Sequence, residues 1–294
     1  MKIKAMCPAS CGELLQGEIG DGEKLISYPI DRYSVVVLEE TKKRRNMYRK
    51  KKAIQAIYKT LDYFQEPHII GDHIGVHITS RIPVAKGMAS STADIAATAV
   101  ATAALLGKTL SEDTLAQICA DIEPTDSTIF KEWTLFDHLK GVRIKSFEWN
   151  PKLDVLVLEG RDRLNTVNFR KHDFKALRMK NKSKVEEAYK VFQQSFTKKD
   201  YALLGKAATM SSLANQNILP KRHLEDIIES AVKVGCYGVN VAHSGTVIGI
   251  LFDPKKVDKE ELYFVLKQNL VHHVYCNIYA TQMVQGGVKI LFKK

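Results

Sequence analysis

Pro83-Val84-Ala85-Lys86-Gly87-Met88-Ala89-Ser90-Ser91-Thr92-Ala93-Asp94 decides how this 294-residue chain is read. Alternating Ile74, Val76, Ile78 and Ile82 predict a strand leading into the stretch, and the alanine-rich run from Ser90 to Leu106 predicts a helix leading out of it. A small-residue loop opening into a helix presents unpaired backbone N–H groups and the positive end of the helix dipole, and both suit a phosphate. Gly87 and Ala89 leave room for phosphate oxygens to approach the backbone. Ser90, Ser91 and Thr92 add hydroxyls able to bind phosphate oxygens or ligate a magnesium ion. The Walker A pattern GxxxxGK[ST] is absent. The same residues also fit a plain helix start, with Ser91 as cap and Asp94 reaching back as in a capping box.

The surroundings of that loop resemble the second motif of the GHMP kinases, written PxxxGLGSS, with Met88 standing for Leu and Ala89 for the second Gly. Pro8-Ala9-Ser10-Cys11-Gly12-Glu13-Leu14-Leu15-Gln16-Gly17 is similar to the PASSANLGPG opening of homoserine kinases and resembles that of the threonine kinase branch. Glu123-Pro124-Thr125-Asp126-Ser127, Ala214-Asn215-Gln216 ahead of Leu219-Pro220, and the run from Gly238 to Thr246 resemble the same branch. The resemblance runs nearly end to end. It implies an α+β, two-domain GHMP kinase fold, with an N-terminal domain like ribosomal protein S5 domain 2 and a ferredoxin-like C-terminal domain. The active site is then expected in the cleft between them, with ATP and Mg2+ as the implied cofactors. By the same resemblance residues 83–93 (Pro83 to Ala93) bind nucleotide.

Composition is that of an ordinary globular protein, 45% apolar and 26% charged, long enough for a substantial core and a division into two domains. No run approaches the length of a membrane-spanning helix, and residues 1–6 lack a signal-peptide core. Five scattered cysteines fit a reducing compartment better than a disulfide framework, so a cytoplasmic location is expected. Net charge is +11, concentrated in residues 42–52 and 170–184. Such runs either bind nucleic-acid phosphates or form solvated surface that attracts an anionic nucleotide to a nearby cleft. RNP aromatics and zinc-finger spacings, which would favour nucleic acid, are missing.

Periodicity predicts strands over residues 2–6, 33–39 and 73–82 and helices over 53–64, 90–106 and, capped by Ser111, to about Ile122. These make a first domain, residues 1–150. A second, residues 151–294, begins with the strand Leu153–Leu158, continues through helices near 184–196, 200–215 and 223–234, and has two strands flanking the His243-Ser244-Gly245-Thr246 turn. A helix over 259–269 and a strand over 288–292 complete it.

Phosphoryl transfer needs positioning and charge neutralisation more than covalent chemistry. The resemblance assigns the metal to Ser91 and Glu123; read by itself, Glu123 is equally a surface residue at a helix end. Asp126 either accepts the substrate hydroxyl proton or caps the segment from Ser127. Glu13 stands where homoserine kinases have Asn, and a carboxylate there either binds a substrate ammonium or forms a buried salt bridge. Asp94, His243, Ser244 and Gly245 are further candidate substrate contacts, and Asn165-Thr166 stands where relatives prefer Asp-Thr. The expected activity is ATP- and Mg2+-dependent phosphorylation of the L-threonine side chain, for the aminopropanol arm of cobalamin biosynthesis. Homoserine or another small alcohol is the alternative acceptor, and a basic RNA-binding module on a degenerate kinase fold the alternative of another class.

Overall fold

A long antiparallel ribbon organises the fold: β1 (Lys2–Ile19) and β2 (Gly22–Glu40), reversed at Gly20, whose φ of +64° suits a residue without Cβ. The computed structural model describes residues 1–42, 50–162, 173–268 and 271–293. Asn165-Thr166 and most of the basic run 42–52 lie outside the described residues. Both ribbon strands far exceed the short segments predicted from sequence. Pro8 and Gly12 read as strand breakers, yet the ribbon absorbs them through register shifts between Pro8 and Ala9, Ser10 and Glu13, and Glu13 and Leu15, while Gly17 pairs with Lys24 in unbroken register.

The ribbon is the centre of one sheet. β3 (Ile74–Ser80) pairs with the far half of β2, and β4 (Trp133–Asp137) with its near half, followed by β5 (Val142–Phe147). On the other side, β1 meets β7 (Gly238–Val241) through Glu13 opposite Val241. Beyond β7 lie β8 (Val247–Phe252), β6 (Asp154–Gly160) and β9 (Tyr275–Gln282), all antiparallel, while β10 (Lys289–Lys293) returns to the start of β1. In chain order, β6 to β9 lie as second, third, first, fourth, which is the ferredoxin-like arrangement.

Helices cover the sheet. α1 (Lys51–Tyr63) and the short α2 (His68–Asp72) precede β3; α3 (Ser90–Leu105) packs on β1 and β2, and α4 (Glu112–Ala120) follows it. Alanine-rich α3 is buried almost all round, as expected of a helix whose small side chains let it lie close against strands. Its buried Thr98 and Thr102 hydroxyls donate to the carbonyls of Asp94 and Thr98, so neither is left unpaired. In α4 Ser111 caps the Thr114 N–H at 3.0 Å, as predicted. α5 (Lys175–Lys198) and α6 (Tyr201–Asn215) pack on β1 and β7 from the second half, and α7 (Leu224–Val234), α8 (Lys259–Gln268) and α9 (Val271–Val274) complete it. One apolar core joins residues of both halves, from Ile3 through Phe136 to Phe192 and Leu251, with a satellite around Phe252 and Leu262. No helix of the described residues is long and apolar enough to cross a membrane.

Candidate active site

The loop between β3 and α3 lines one side of a cavity of about 400 Å³. Ala85, Gly87 and Ala89 all have positive φ (63°, 79° and 58°) and coil it tightly. It is pinned at both ends: Met88 O accepts from Ser10 N at 3.2 Å, and Lys86 O accepts from Thr246 N and Val247 N at 3.0 and 3.1 Å. Gly87 packs so closely on the β7–β8 turn that a Cβ would lie 2.5 Å from Ala242 Cβ. Gly245 is the counterpart, where a Cβ would lie 2.2 Å from Lys86 O. Its φ is not positive, so close approach rather than the expected turn geometry requires glycine there.

The capping box expected at Ser91 and Asp94 does not form. α3 begins two residues earlier, with Ala89 at the cap position and no side-chain cap bond, and its first residues line the cavity. Asp94 instead accepts from the Ser34 hydroxyl, and burial raises its carboxyl above the ordinary range. Of the predicted nucleotide contacts, Pro83, Val84, Ala85 and residues 87–92 line the cavity. Lys86 and Ala93 do not: the Lys86 ammonium turns away to the carbonyls of Gly160, Arg161 and Asp162 at 2.5, 3.2 and 2.8 Å, and Ala93 is fully buried in the core. Gly245 also lies outside the cavity lining, whereas His243 and Ser244 are part of it.

At one corner a cation is already held. Lys52 Nζ donates to Ser91 Oγ at 3.1 Å and to a carboxylate oxygen of Glu123. The other oxygen, Glu123 Oε1, is buried with no hydrogen-bond partner among the described residues. A hydroxyl and a carboxylate converging on a positive charge, with one oxygen still unsatisfied, fit the hard oxygen donors of a magnesium ion. The side chain is only 16% exposed, which removes the reading of Glu123 as a surface residue.

Deeper in, Glu13 from β1 and Asp126 hydrogen-bond to each other. Asp126 also accepts from Ser27 Oγ and Thr92 Oγ1, each at 3.3 Å, and makes no cap bond to the 3₁₀ turn Ser127–Ile129. The capping alternative therefore fails. Glu13 Oε2 accepts from His243 N at 2.6 Å. Burial, followed by the charge of Asp126, pushes Glu13 well above 4.5, and burial likewise raises Asp126 above 3.8. Lys221, 5% exposed and close enough to feel the Glu13 charge, is lowered by burial to about 7.

Three residues of the site are absent from the sequence reading. Glu23 Oε1 lies 2.7 Å from His243 Nε2 and 3.6 Å from His138 Nε2, while Glu23 Oε2 lies 3.4 Å from Arg178 Nε. Burial alone would raise Glu23, but the His243 hydrogen bond and the charges of His243, His138 and Arg178 outweigh it and hold the carboxyl well below its ordinary range. These groups come from β2, the end of β4, the β7–β8 turn and α5, so no local spacing could reveal them.

The architecture and site define a class. The GHMP kinases N terminal domain matches residues 51–130 and the GHMP kinases C terminal domain residues 192–270. The chain is 41% identical to an L-threonine kinase of Salmonella typhimurium over 286 residues, 97% of this chain and 95% of that protein. It is 38% identical to an L-threonine kinase of Citrobacter freundii, over 97% of this chain and 99% of that one. A homoserine kinase from Cytophaga hutchinsonii shares the fold, with a TM-score of 0.70, 15% identity and coverage of 99% and 97% of the two chains. The protein belongs to the GHMP kinases, in the family that contains these L-threonine kinases.

Proposed function

We propose that this protein is an ATP- and magnesium-dependent kinase that phosphorylates the side-chain hydroxyl of L-threonine, giving O-phospho-L-threonine and ADP. The observation that carries this reading is one cavity joining three things: a helix N-terminus with no side-chain cap, the Ser91–Glu123 cation corner, and the buried Glu13–Asp126 pair. The backbone of residues 87–91 and the start of α3 hold the phosphates of ATP. Ser91 and Glu123 hold the magnesium ion, which when bound neutralises charge on the phosphates. Asp126 takes the hydroxyl proton as the new O–P bond forms and ADP leaves, and Glu13, protonated in the free protein, faces the acceptor's ammonium group, whose charge favours its ionised form. Residues 1–150 form the nucleotide-binding half and 151–294 the second half of this reading.

The acceptor rests on the two relatives named L-threonine kinase, at about 40% identity over nearly the whole chain. The resemblance to the threonine kinase branch supports a role in the aminopropanol arm of cobalamin biosynthesis, and five unpaired cysteines support a cytoplasmic location. An RNA-binding module would have no use for Ser91 and Glu123 converging on a cation. The reading is tested by magnesium-dependent ADP release with L-threonine, L-serine, L-homoserine and no acceptor. L-threonine should exceed L-serine by about 10- to 200-fold in kcat/KM, the worth of one methyl group in an apolar contact. Preference for homoserine would replace the acceptor, and no turnover with any alcohol would remove the kinase assignment.

A further inference from the structure

The Glu23–His138–His243–Arg178 cluster borders the cavity through its two histidines and has no part in the phosphoryl-transfer steps above. Both imidazoles line the cavity, with ring centroids 5.5 Å apart. Glu23 stands behind them, 8% exposed, and Arg178 approaches its other oxygen at 3.4 Å. One carboxylate thus faces two imidazoles and a guanidinium, so groups able to carry N–H donors or positive charge outnumber the single acid.

Such a group could hold a metal ion or an anion, and the geometry separates the two. His243 Nε2 and Glu23 Oε1 lie 2.7 Å apart, closer than two donors with bonds of about 2.1 Å to one metal ion would sit. The Arg178 guanidinium would also repel a divalent ion at Glu23. Both features favour an anion in front of the imidazoles. His243 further links the cluster to the carboxyl pair: its ring is held by Glu23, and its backbone N–H donates to Glu13 Oε2 at 2.6 Å. An acidic seat and a basic seat therefore lie one residue apart. That juxtaposition matches a ligand whose ammonium and carboxylate share one carbon atom.

Resting on the kinase reading, we propose that His138 and His243, oriented by Glu23 and Arg178, bind the α-carboxylate of the amino-acid acceptor, while Glu13 takes its ammonium group. The seat is pre-formed. The turn carrying His243 is locked by the Gly245–Lys86 approach and cannot swing aside without breaking the phosphate loop's anchor.

The test compares L-threonine with L-threonine amide, which keeps the hydroxyl and ammonium and loses only the carboxylate charge. Wild-type enzyme should favour L-threonine by at least about 30-fold in kcat/KM. In His138→Asn and His243→Gln, KM for L-threonine should rise about 10- to 100-fold with kcat within a few fold, while KM for the amide barely moves. Glu23→Gln, which leaves both imidazoles in place but loosens them, should give a smaller loss in the same direction. Wild-type enzyme that uses both acceptors equally would overturn the seat and leave the kinase intact. Equal losses for both acceptors in the variants would make the histidines purely structural and also overturn it. Stoichiometric zinc on the purified protein, lost in His243→Gln, would replace the seat with a metal centre. No turnover of L-threonine by wild type would remove the seat together with the reading beneath it.

Discussion

Asp126 and Glu13 bring two buried carboxyl groups into one hydrogen bond: burial and the Asp126 charge raise the cost of ionising Glu13, while the hydrogen bond from Glu13 favours the ionised form of Asp126 against its own burial. Asp126→Asn keeps the hydrogen bonds from Ser27 and Thr92 possible but removes the proton acceptor, so kcat should fall about 10²- to 10⁴-fold with the melting temperature little changed. An unaltered kcat would leave Asp126 a structural residue. Glu13 carries a stability signature as well. Its native pKa lies well above 4.5, so the folded protein keeps a proton that the unfolded chain releases. The resulting stabilisation is fully present below about pH 4.5 and is lost as pH rises toward the native value. Gln at position 13 does not titrate and still offers a donor to Asp126. The melting temperature of Glu13→Gln relative to wild type should therefore climb from pH 4.5 to 8, and a constant difference would contradict the shared proton. Glu123→Gln should abolish Mn2+ binding, read by electron paramagnetic resonance with and without ATP, and lower kcat at least about 100-fold. Retained Mn2+ affinity would move the metal elsewhere.

At the scale of elements, the site depends on the phosphate loop and the β7–β8 turn meeting backbone to backbone. Gly245→Ala places a Cβ 2.2 Å from Lys86 O, so one of the two loops must shift. Urea unfolding should report a loss of about 1–3 kcal/mol, and KM for ATP should rise because the loop's anchor is displaced. A variant with wild-type stability and KM would show that the two loops are not coupled. Helices here are legible because their periods and punctuation are local: Ser111 caps where expected, and the helix expected over 200–215 begins at Asp200, which accepts from Ala202 N and Leu203 N. β1 and β2 were read far too short, because long-range pairing overrides the breakers Pro8 and Gly12. β4, β5 and β9 are not among the strands expected from sequence: β4 is a short uniformly buried run, β5 alternates over only four residues (Val142 to Lys145), and β9 lacks alternation. The same long-range pairing sets the site: the register shifts around Glu13 turn that side chain toward Asp126 and the β7–β8 turn.

The whole molecule is one sheet and one principal core running through both halves, joined where Glu13 meets Val241. Trp133 and Trp149, packed against Phe196 and Tyr201 of the second half, report the junction and far-UV circular dichroism reports the whole, so urea should give coincident transitions by the two probes. A separate early transition in either signal would mean that the halves unfold independently. At this scale the sequence also supplied the motifs of the catalytic corner: Ser91, Glu123, Asp126, Glu13 and His243 all face one cavity. It could not supply Glu23, His138 or Arg178, which are brought together only by tertiary packing. Nor could it show that Lys52 and Arg178, members of the two basic runs, reach the site, where one occupies the cation corner and the other supports Glu23. The proposed reaction moves a phosphoryl group from ATP to the L-threonine hydroxyl within this cavity. The most direct measurement is ³¹P NMR of the purified protein with L-threonine, ATP and Mg2+. A phosphomonoester resonance coincident with O-phospho-L-threonine, growing in step with ADP, is the predicted result; ADP accompanied only by inorganic phosphate, or ATP left intact, would contradict it.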